Sequence, residues 1–440
     1  MAKVKPAKTM EASRTEPKSV EYRNTRLDNG LRVITTSMPH THAVTVGYFV
    51  GAGSRYESDR TAGSTHFLEH LLFKGTREWP TAKIISEAIE GTGGIMNAST
   101  EREMTTYWCK VAKPHASKAL SVVTDMVLHP LLEQTEMEKE RQVILEELRM
   151  SNDYPSHRVD LLIDEMMWPS QPMGRDVGGT KESVSGIVRD DLWDMMRNQY
   201  VPNNVVLSVA GAISHDEVLE QVSEATREWK PGQPWEWSRS HREQGEKGMR
   251  VESRKTEQAH ICIALPALPL NHPDRYALML MNTIFGEGMS SRLFLEVRER
   301  LGLAYDVHSS VSQFHDTGAF VIYCGTEPSR STESVEAIMR EMGKMTQGFS
   351  EEEVEKAKEL TKGRLLLRME DSRSVGMWQG AQELLLGYVN SVEDVTRAID
   401  MVTLEDLNRV TRDIVREDQL NLAVVGPFRS EARFRKVFKL

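Results

Sequence analysis

Two histidines four residues apart, with a glutamate between them, are the residues of this chain best suited to chemistry. They lie in the run Gly63-Ser64-Thr65-His66-Phe67-Leu68-Glu69-His70-Leu71-Leu72-Phe73-Lys74-Gly75-Thr76. In a helix, side chains at i and i+4 leave one face a turn apart, so both imidazoles point the same way. Two neutral imidazoles so placed can grip one divalent metal, and Glu69 beside them can deprotonate a water bound to it. The order His-x-x-Glu-His inverts the common zincin order and is itself a metallopeptidase motif. Ser64 or Thr65 is expected to cap this helix and Gly75 to end it. The alternative is a helix with two solvated or core histidines. Against it, Phe67, Leu68, Leu71, Leu72 and Phe73 surround the pair, so the helix is expected to be buried nearly all round. Polar groups in such a place need partners, and a metal supplies them.

A catalytic zinc keeps three protein ligands and one open position. The third is sought on a helix expected over residues 136–150, which holds Glu146 and Glu147 side by side. Met137, Glu140, Ile144, Glu147 and Leu148 share its apolar face, whereas Lys139, Gln142, Glu146 and Arg149 form a polar one. Glu147 is therefore the better ligand. Glu140, two turns earlier on the same face, fits an acceptor that orients a histidine N–H. The competing reading makes both acids surface charges of a Glu-rich helix.

These helices must be placed by a scaffold. Asn29-Gly30 marks a hairpin between strand-like runs, and Ala43 to Gly51 reads as a strand. The segments 95–100 and 105–111 read as two strands joined by a charged turn. Residues 230–249, rich in Pro, Gly, Trp and charge, read as a linker. Beyond them the pattern restarts. Thr106 to Pro114 and Val321 to Pro328 each give a strand, a cysteine (Cys109, Cys324), a proline and then a helix. A duplicated α+β domain follows, each copy a mixed sheet with helices packed on one face. The expected boundaries are a disordered tail at 1–21, a zinc-binding catalytic domain at 22–229, and a homologous second domain at 250–440.

From about Tyr22 onward the chain resembles the pitrilysin–insulysin–mitochondrial processing peptidase family of zinc endopeptidases. The run from His66 to Thr76 is similar to that family's signature at almost every position. Glu140-Arg141-Gln142-Val143-Ile144-Leu145-Glu146-Glu147 resembles its downstream Glu-x6-Glu element, which implies Glu147 as ligand and Glu140 as support. Gly93 to Thr100 resembles its substrate-pairing edge strand, which implies contacts at Asn97, Ala98 and Ser99. Arg298-Glu299-Arg300-Leu301-Gly302-Leu303-Ala304-Tyr305 resembles the family's Arg/Tyr pair, which implies that Arg298 and Tyr305 hold the substrate backbone and the tetrahedral intermediate. One Zn2+ per subunit is implied, and peptide substrates bound as extended strands in an enclosed chamber. Ligands and Arg/Tyr pair on one chain imply a homodimer whose active site is completed across subunits, of the short bacterial, cytoplasmic type. Processing peptidases read a basic residue through acids after the third ligand. Asp160 fits one such position, and Ser156 or His157 stands where the other is expected, with Asp164 and Glu165 nearby. Two other readings are the catalytic subunit of a heterodimeric presequence peptidase and a scaffold homologue of the respiratory core proteins. The latter typically lack ligands that this chain keeps.

Composition narrows the rest. The 440 residues exceed one ordinary domain. A net charge of −10 argues against a nucleic-acid surface, and no uncharged apolar run is long enough for a membrane span. Cys109, Cys262 and Cys324 form no CxxC pair and read as buried thiols. The Gly286-Glu287-Gly288 stretch reads as a turn, since it lacks the preceding strand and the Lys of a phosphate loop.

Overall fold

A computed structural model describes residues 22–241 and 247–440. The tail expected at 1–21 and residues 242–246 of the expected linker lie outside the described residues. Two mixed sheets form the frame. The first contains β1 (Tyr22–Arg26), β2 (Arg32–Ser37), β3 (Ala43–Val50), β4 (Ile95–Thr100), β5 (Thr105–Ala112) and β6 (Val205–Gly211), in the order β1-β2-β6-β3-β5-β4. The second contains β7 (Gly248–Ser253), β8 (Ala259–Pro266), β9 (Ala304–Gln313), β10 (Gly318–Thr326) and β11 (Asn421–Gly426), in the order β7-β11-β8-β10-β9.

Without the extra edge strand β1, the two orders are one order. In each sheet the first strand pairs in parallel with the last, as β2 with β6 and β7 with β11. The other three pairings are antiparallel in both. The chain is thus two homologous α+β domains. The Asn-Gly turn joins β1 to β2, with Gly30 at φ 93°, a conformation open to glycine at little cost. Cys109 and Cys324 lie on β5 and β10, each buried in its own domain's core, and all three thiols are free.

Each domain packs its own helices on one face of its sheet. In the first these include Ser64–Leu72 and Ala116–Leu128; in the second, Arg275–Gly286, Ser331–Gln347 and Leu404–Ile414. The opposite faces are covered reciprocally. Helix Pro155–Met167 of the first half lies on β8 and β11, where Val159, Leu162, Ile163 and Met167 pack against Cys262, Ala264, Ala423 and Val425. Helix Ser372–Leu386 of the second half lies on β3 and β6. Fully burying one such aliphatic side chain contributes about 1.5–3 kcal/mol, so each exchanged helix ties the two halves through several of them.

A charged pin adds to this. Arg55, fully buried, pairs with Glu103 and with Asp316 at 2.5 Å, donates to the carbonyl of Ser238 and stacks on Trp237. His315 closes the network on Glu103 at 2.7 Å. Burial of a guanidinium is tolerable only with partners of this kind. Among the described residues no helix is long and apolar enough to cross a membrane.

Candidate metal centre

The histidine helix spans Ser64–Leu72. Phe67, Leu68, Leu71 and Leu72 are at most 1% exposed, while His66, Glu69 and His70 form the only stripe of intermediate exposure on it. The apolar face anchors the helix in the core and leaves this stripe facing outward. The expected Ser64 or Thr65 cap is not what starts it. Gly63 occupies the N-cap position, with no side-chain cap of its own. Glu57 reaches in from the preceding loop, and its carboxylate accepts from the N–H groups of Gly63 and Thr65, both at 2.7 Å, and from the Ser64 hydroxyl. A carboxylate satisfies two free donors there and complements the positive end of the helix dipole, which a serine cannot match. The helix ends at Leu72, before Gly75, whose φ of 151° sets it against the Pro80 carbonyl.

The second ligand-bearing helix runs from Gln134 to Asp153, longer at both ends than periodicity indicates. Met137, Glu140, Ile144 and Leu148 are buried on the expected face. Glu147 is not: its side chain is 45% exposed, because the face opens there onto a cavity of about 380 Å³. His66, Thr100, Glu147, Tyr154, His157 and Val177 are among its walls. A larger cavity of about 650 Å³ lies on the far side of Leu148 and contains none of the histidines.

One imidazole nitrogen from each of His66 and His70 and one carboxylate oxygen of Glu147 all lie within 4.8 Å of one another. Among the described residues this is the one group of three or more His, Cys, Asp or Glu side chains close enough to share an ion. Glu147 Oε2 stands 3.5 Å from His70 Nε2 and 3.9 Å from His66 Nε2. The buried Glu140 accepts from His70 Nδ1 at 3.1 Å, which leaves Nε2 with its lone pair turned toward Glu147. Lys74 holds the other Glu140 oxygen at 2.6 Å. Burial and the neighbouring His70 push the His66 imidazole down to about 4, so it is neutral and able to ligate at neutral pH. Two imidazole nitrogens and a carboxylate oxygen, with the His70 ring oriented by Glu140, are a donor set that fits zinc.

Glu69 points from the same stripe. Burial pushes its carboxyl above the usual range, and the Thr100 hydroxyl, donating to Oε2 at 2.5 Å, acts against that shift. Thr100 ends β4, the outer strand of the first sheet, which among the described residues has β5 on one side and no strand on the other. Asn97, Ala98 and Ser99 lie on this strand, and the Ala98 N–H is caught at 2.8 Å by the Asn97 side chain rather than by β5.

Arg298 and Tyr305 are brought together, but apart from the histidines. Arg298 sits in a π-helical turn, Phe294–Arg300, stacks on the Tyr305 ring at 4.5 Å and donates to the Tyr305 carbonyl at 3.0 Å. The Tyr305 ring is 79% exposed. No hydrogen bond or ion pair among the described residues joins either to His66, Glu69, His70 or Glu147. The acids considered for a basic substrate residue already have partners. Asp164 pairs with Arg102 at 2.5 Å, Glu165 with Arg158 and Arg250, and Asp160 accepts from the Cys262 thiol. Gly286 closes its helix and Gly288 turns the chain at φ 96°, as a turn requires.

Glu57, Lys74 and Thr100 are the site residues that periodicity does not single out. Lys74 carries a signal, one helical turn after His70. Glu57 and Thr100 lie outside the helix and carry none.

Comparison with known proteins finds relatives along most of the chain. A family model described as insulinase (peptidase family M16) matches residues 32–181, and one described as the peptidase M16 inactive domain matches residues 186–361. A protein of Streptomyces coelicolor named as an uncharacterised zinc protease is 36% identical over 424 residues, covering 94% of this chain and 91% of its own. One of Bacillus subtilis with the same description is 35% identical over 402 residues, covering 91% and 97%. Among solved structures, a protease from Helicobacter pylori superposes with a TM-score of 0.86 at 22% identity, covering 93% of this chain and 100% of its own. A Pseudomonas fluorescens structure titled as a peptidase M16 inactive domain gives 0.86 at 18% identity, covering 93% and 99%. At these identities the two structures speak for the fold alone.

Proposed function

The chain belongs to the insulinase family of M16 peptidases, and from that premise we propose that it is a zinc-dependent endopeptidase acting on short or unfolded peptides. The observation that carries the reading is the convergence of His66, His70 and Glu147 donor atoms within 4.8 Å, with Glu69 alongside. These three residues would hold Zn2+, which when bound acidifies water and polarises a carbonyl. Glu140 keeps His70 in its ligating tautomer. Glu69 takes the proton of the attacking water on Oε1, the oxygen Thr100 leaves free, and returns it to the nitrogen of the leaving amine.

The substrate lies extended along the free edge of β4. Its main chain pairs with the strand at Asn97, Ala98 and Ser99, displacing the Asn97 side chain from the Ala98 N–H. Such pairing selects chains that can become extended and rejects folded ones. The internal partners of Asp160, Asp164 and Glu165 disfavour a built-in preference for arginine near the cut. Arg298 and Tyr305 complete the site from a partner copy in a homodimer; the exposure of Tyr305 and the absence, among the described residues, of any hydrogen bond from either to the metal group fit that role. There they donate to the developing oxyanion.

Purified protein is expected to contain one zinc per chain and to cleave a quenched peptide pool. Glu69→Gln is expected to keep the zinc and lose cleavage. Absence of both zinc and chelator-sensitive cleavage would return the chain to a scaffold role. Mixing Glu69→Gln subunits with Tyr305→Phe subunits tests the dimer: mixed dimers regain activity if the two halves of the site come from different chains, and stay as inactive as the parents if they do not.

A further inference from the structure

The strand that we assign to the substrate also holds the base. β4 alternates exposed and half-buried residues, and period two puts Met96, Ala98 and Thr100 on the face turned to the histidine helix. Thr100 is the last of these and pairs with Thr105 at the end of the strand. Its hydroxyl donates to Glu69 Oε2 at 2.5 Å. A hydroxyl has one proton to donate, and this one is spent on a single oxygen. Oε1 is left free, and the plane of the carboxylate is fixed relative to β4.

The second domain shows what the same junction looks like without a base. Gly286 ends the helix equivalent to the histidine helix, and a Cβ there would lie 2.3 Å from the Ser309 hydroxyl and 2.5 Å from the Ser309 nitrogen on β9. Helix and edge strand close directly on each other. In the first domain Glu69 and Thr100 join the histidine helix to the edge strand through their side chains.

We propose that Thr100 is a positioning residue: it locks Glu69 to the substrate-pairing strand so that Oε1 points to the reacting centre whenever β4 is occupied. The proposal rests on the peptidase reading above. Its test compares wild type, Thr100→Ser and Thr100→Val by zinc content, by kcat and KM on one peptide that wild type cleaves, and by crystal structure. Thr100→Val keeps volume and loses the donor. It is expected to keep full zinc and a KM within about twofold, while kcat falls about 10- to 100-fold, a part of what general-base catalysis supplies. The Glu69 carboxylate is expected to leave its place beside β4 in the Val structure, and Thr100→Ser is expected to restore both its place and kcat. An unmoved carboxylate in Thr100→Val, a loss confined to KM or zinc, or failure of Ser to rescue overturns the positioning role. If wild type cleaves nothing and Glu69→Gln equals it, the peptidase reading fails, and the carboxylate's place in the Thr100→Val crystal alone decides whether Thr100 holds Glu69.

Discussion

The histidine helix and its counterpart Arg275–Gly286 occupy one place in two copies of one topology, and they differ where a metal would sit. The first helix carries His66, Glu69 and His70; the end of the second carries Thr283, Gly286 and then Glu287, and Arg364 reaches Glu287 from the helix Glu351–Arg368. Phe67 and Leu68 on the first helix and Ile284 and Phe285 on the second are all buried. The apolar frame is kept, and the polar stripe is rewritten. In the second domain Arg364 pairs with Glu287 at 2.5 Å, and the Thr283 hydroxyl donates to Glu287 at 3.2 Å. Positive and negative charge cancel within the pair. In the first domain two imidazole rings face carboxylates, and among the described residues Lys74, bound to Glu140, is the cation at the group. A site that collects lone pairs without a matching cation of its own fits completion by a cation from outside.

The sharpest way to break the contrast is to write the second domain's residue into the first. Glu147→Arg puts a guanidinium where a carboxylate stands 3.5 Å from His70 Nε2. Zinc content is expected to fall to background by elemental analysis and peptide cleavage to vanish. Zinc is expected to raise the melting temperature of wild type, because an ion that binds only the folded state stabilises it by mass action. It is expected to leave that of Glu147→Arg unchanged. A variant that still binds one zinc would show that Glu147 is not a ligand.

The reverse exchange is smaller in effect and acts on stability. Gly286→Glu installs a base in the second domain, where the helix and β9 leave no room for even a Cβ. Overpacking of this kind costs about 1–3 kcal/mol. Urea unfolding is expected to show a lower midpoint for Gly286→Glu, with zinc content unchanged because the metal group is in the other domain.

How much of this was legible in the sequence follows the same division. The His66–His70 spacing and the burial of Met137, Glu140, Ile144 and Leu148 on one face follow from helical periodicity alone. So do the alternation along β4 and the restart of the pattern after the linker. Periodicity reports that a face is apolar, but not which surface covers it. The exchange of Pro155–Met167 and Ser372–Leu386 between the sheets was therefore invisible. Glu147 was read as buried because its face is apolar elsewhere; a cavity at one end of a helix leaves no mark in the spacing. The Glu57 cap and the Thr100 contact are single side chains reaching in from a loop and a strand end, and no repeat announces them.

Removing the support of a ligand is expected to cost less than removing the ligand. Glu140→Gln keeps an acceptor for His70 Nδ1 but loses the charge and the Lys74 pair. Loss of such an outer partner costs about 10- to 100-fold in metal affinity. Competition with a chelator of known strength measures it. An affinity unchanged in Glu140→Gln would mean that the imidazole is oriented by packing alone.

The smallest effect is expected where the second domain has already satisfied itself. The Glu287 and Arg364 side chains are each 42% exposed, so water screens their attraction. Exposed ion pairs of this kind contribute about 0–1 kcal/mol. Arg364→Met removes the charge and keeps much of the stem, and Glu287 remains in contact with solvent and with the Thr283 hydroxyl. Urea unfolding is expected to place Arg364→Met within about 1 kcal/mol of wild type, with zinc content unaltered. A larger loss would mean that the pair fastens the helix Glu351–Arg368 to Arg275–Gly286, and that the second domain relies on its ion pair structurally as the first would rely on its metal.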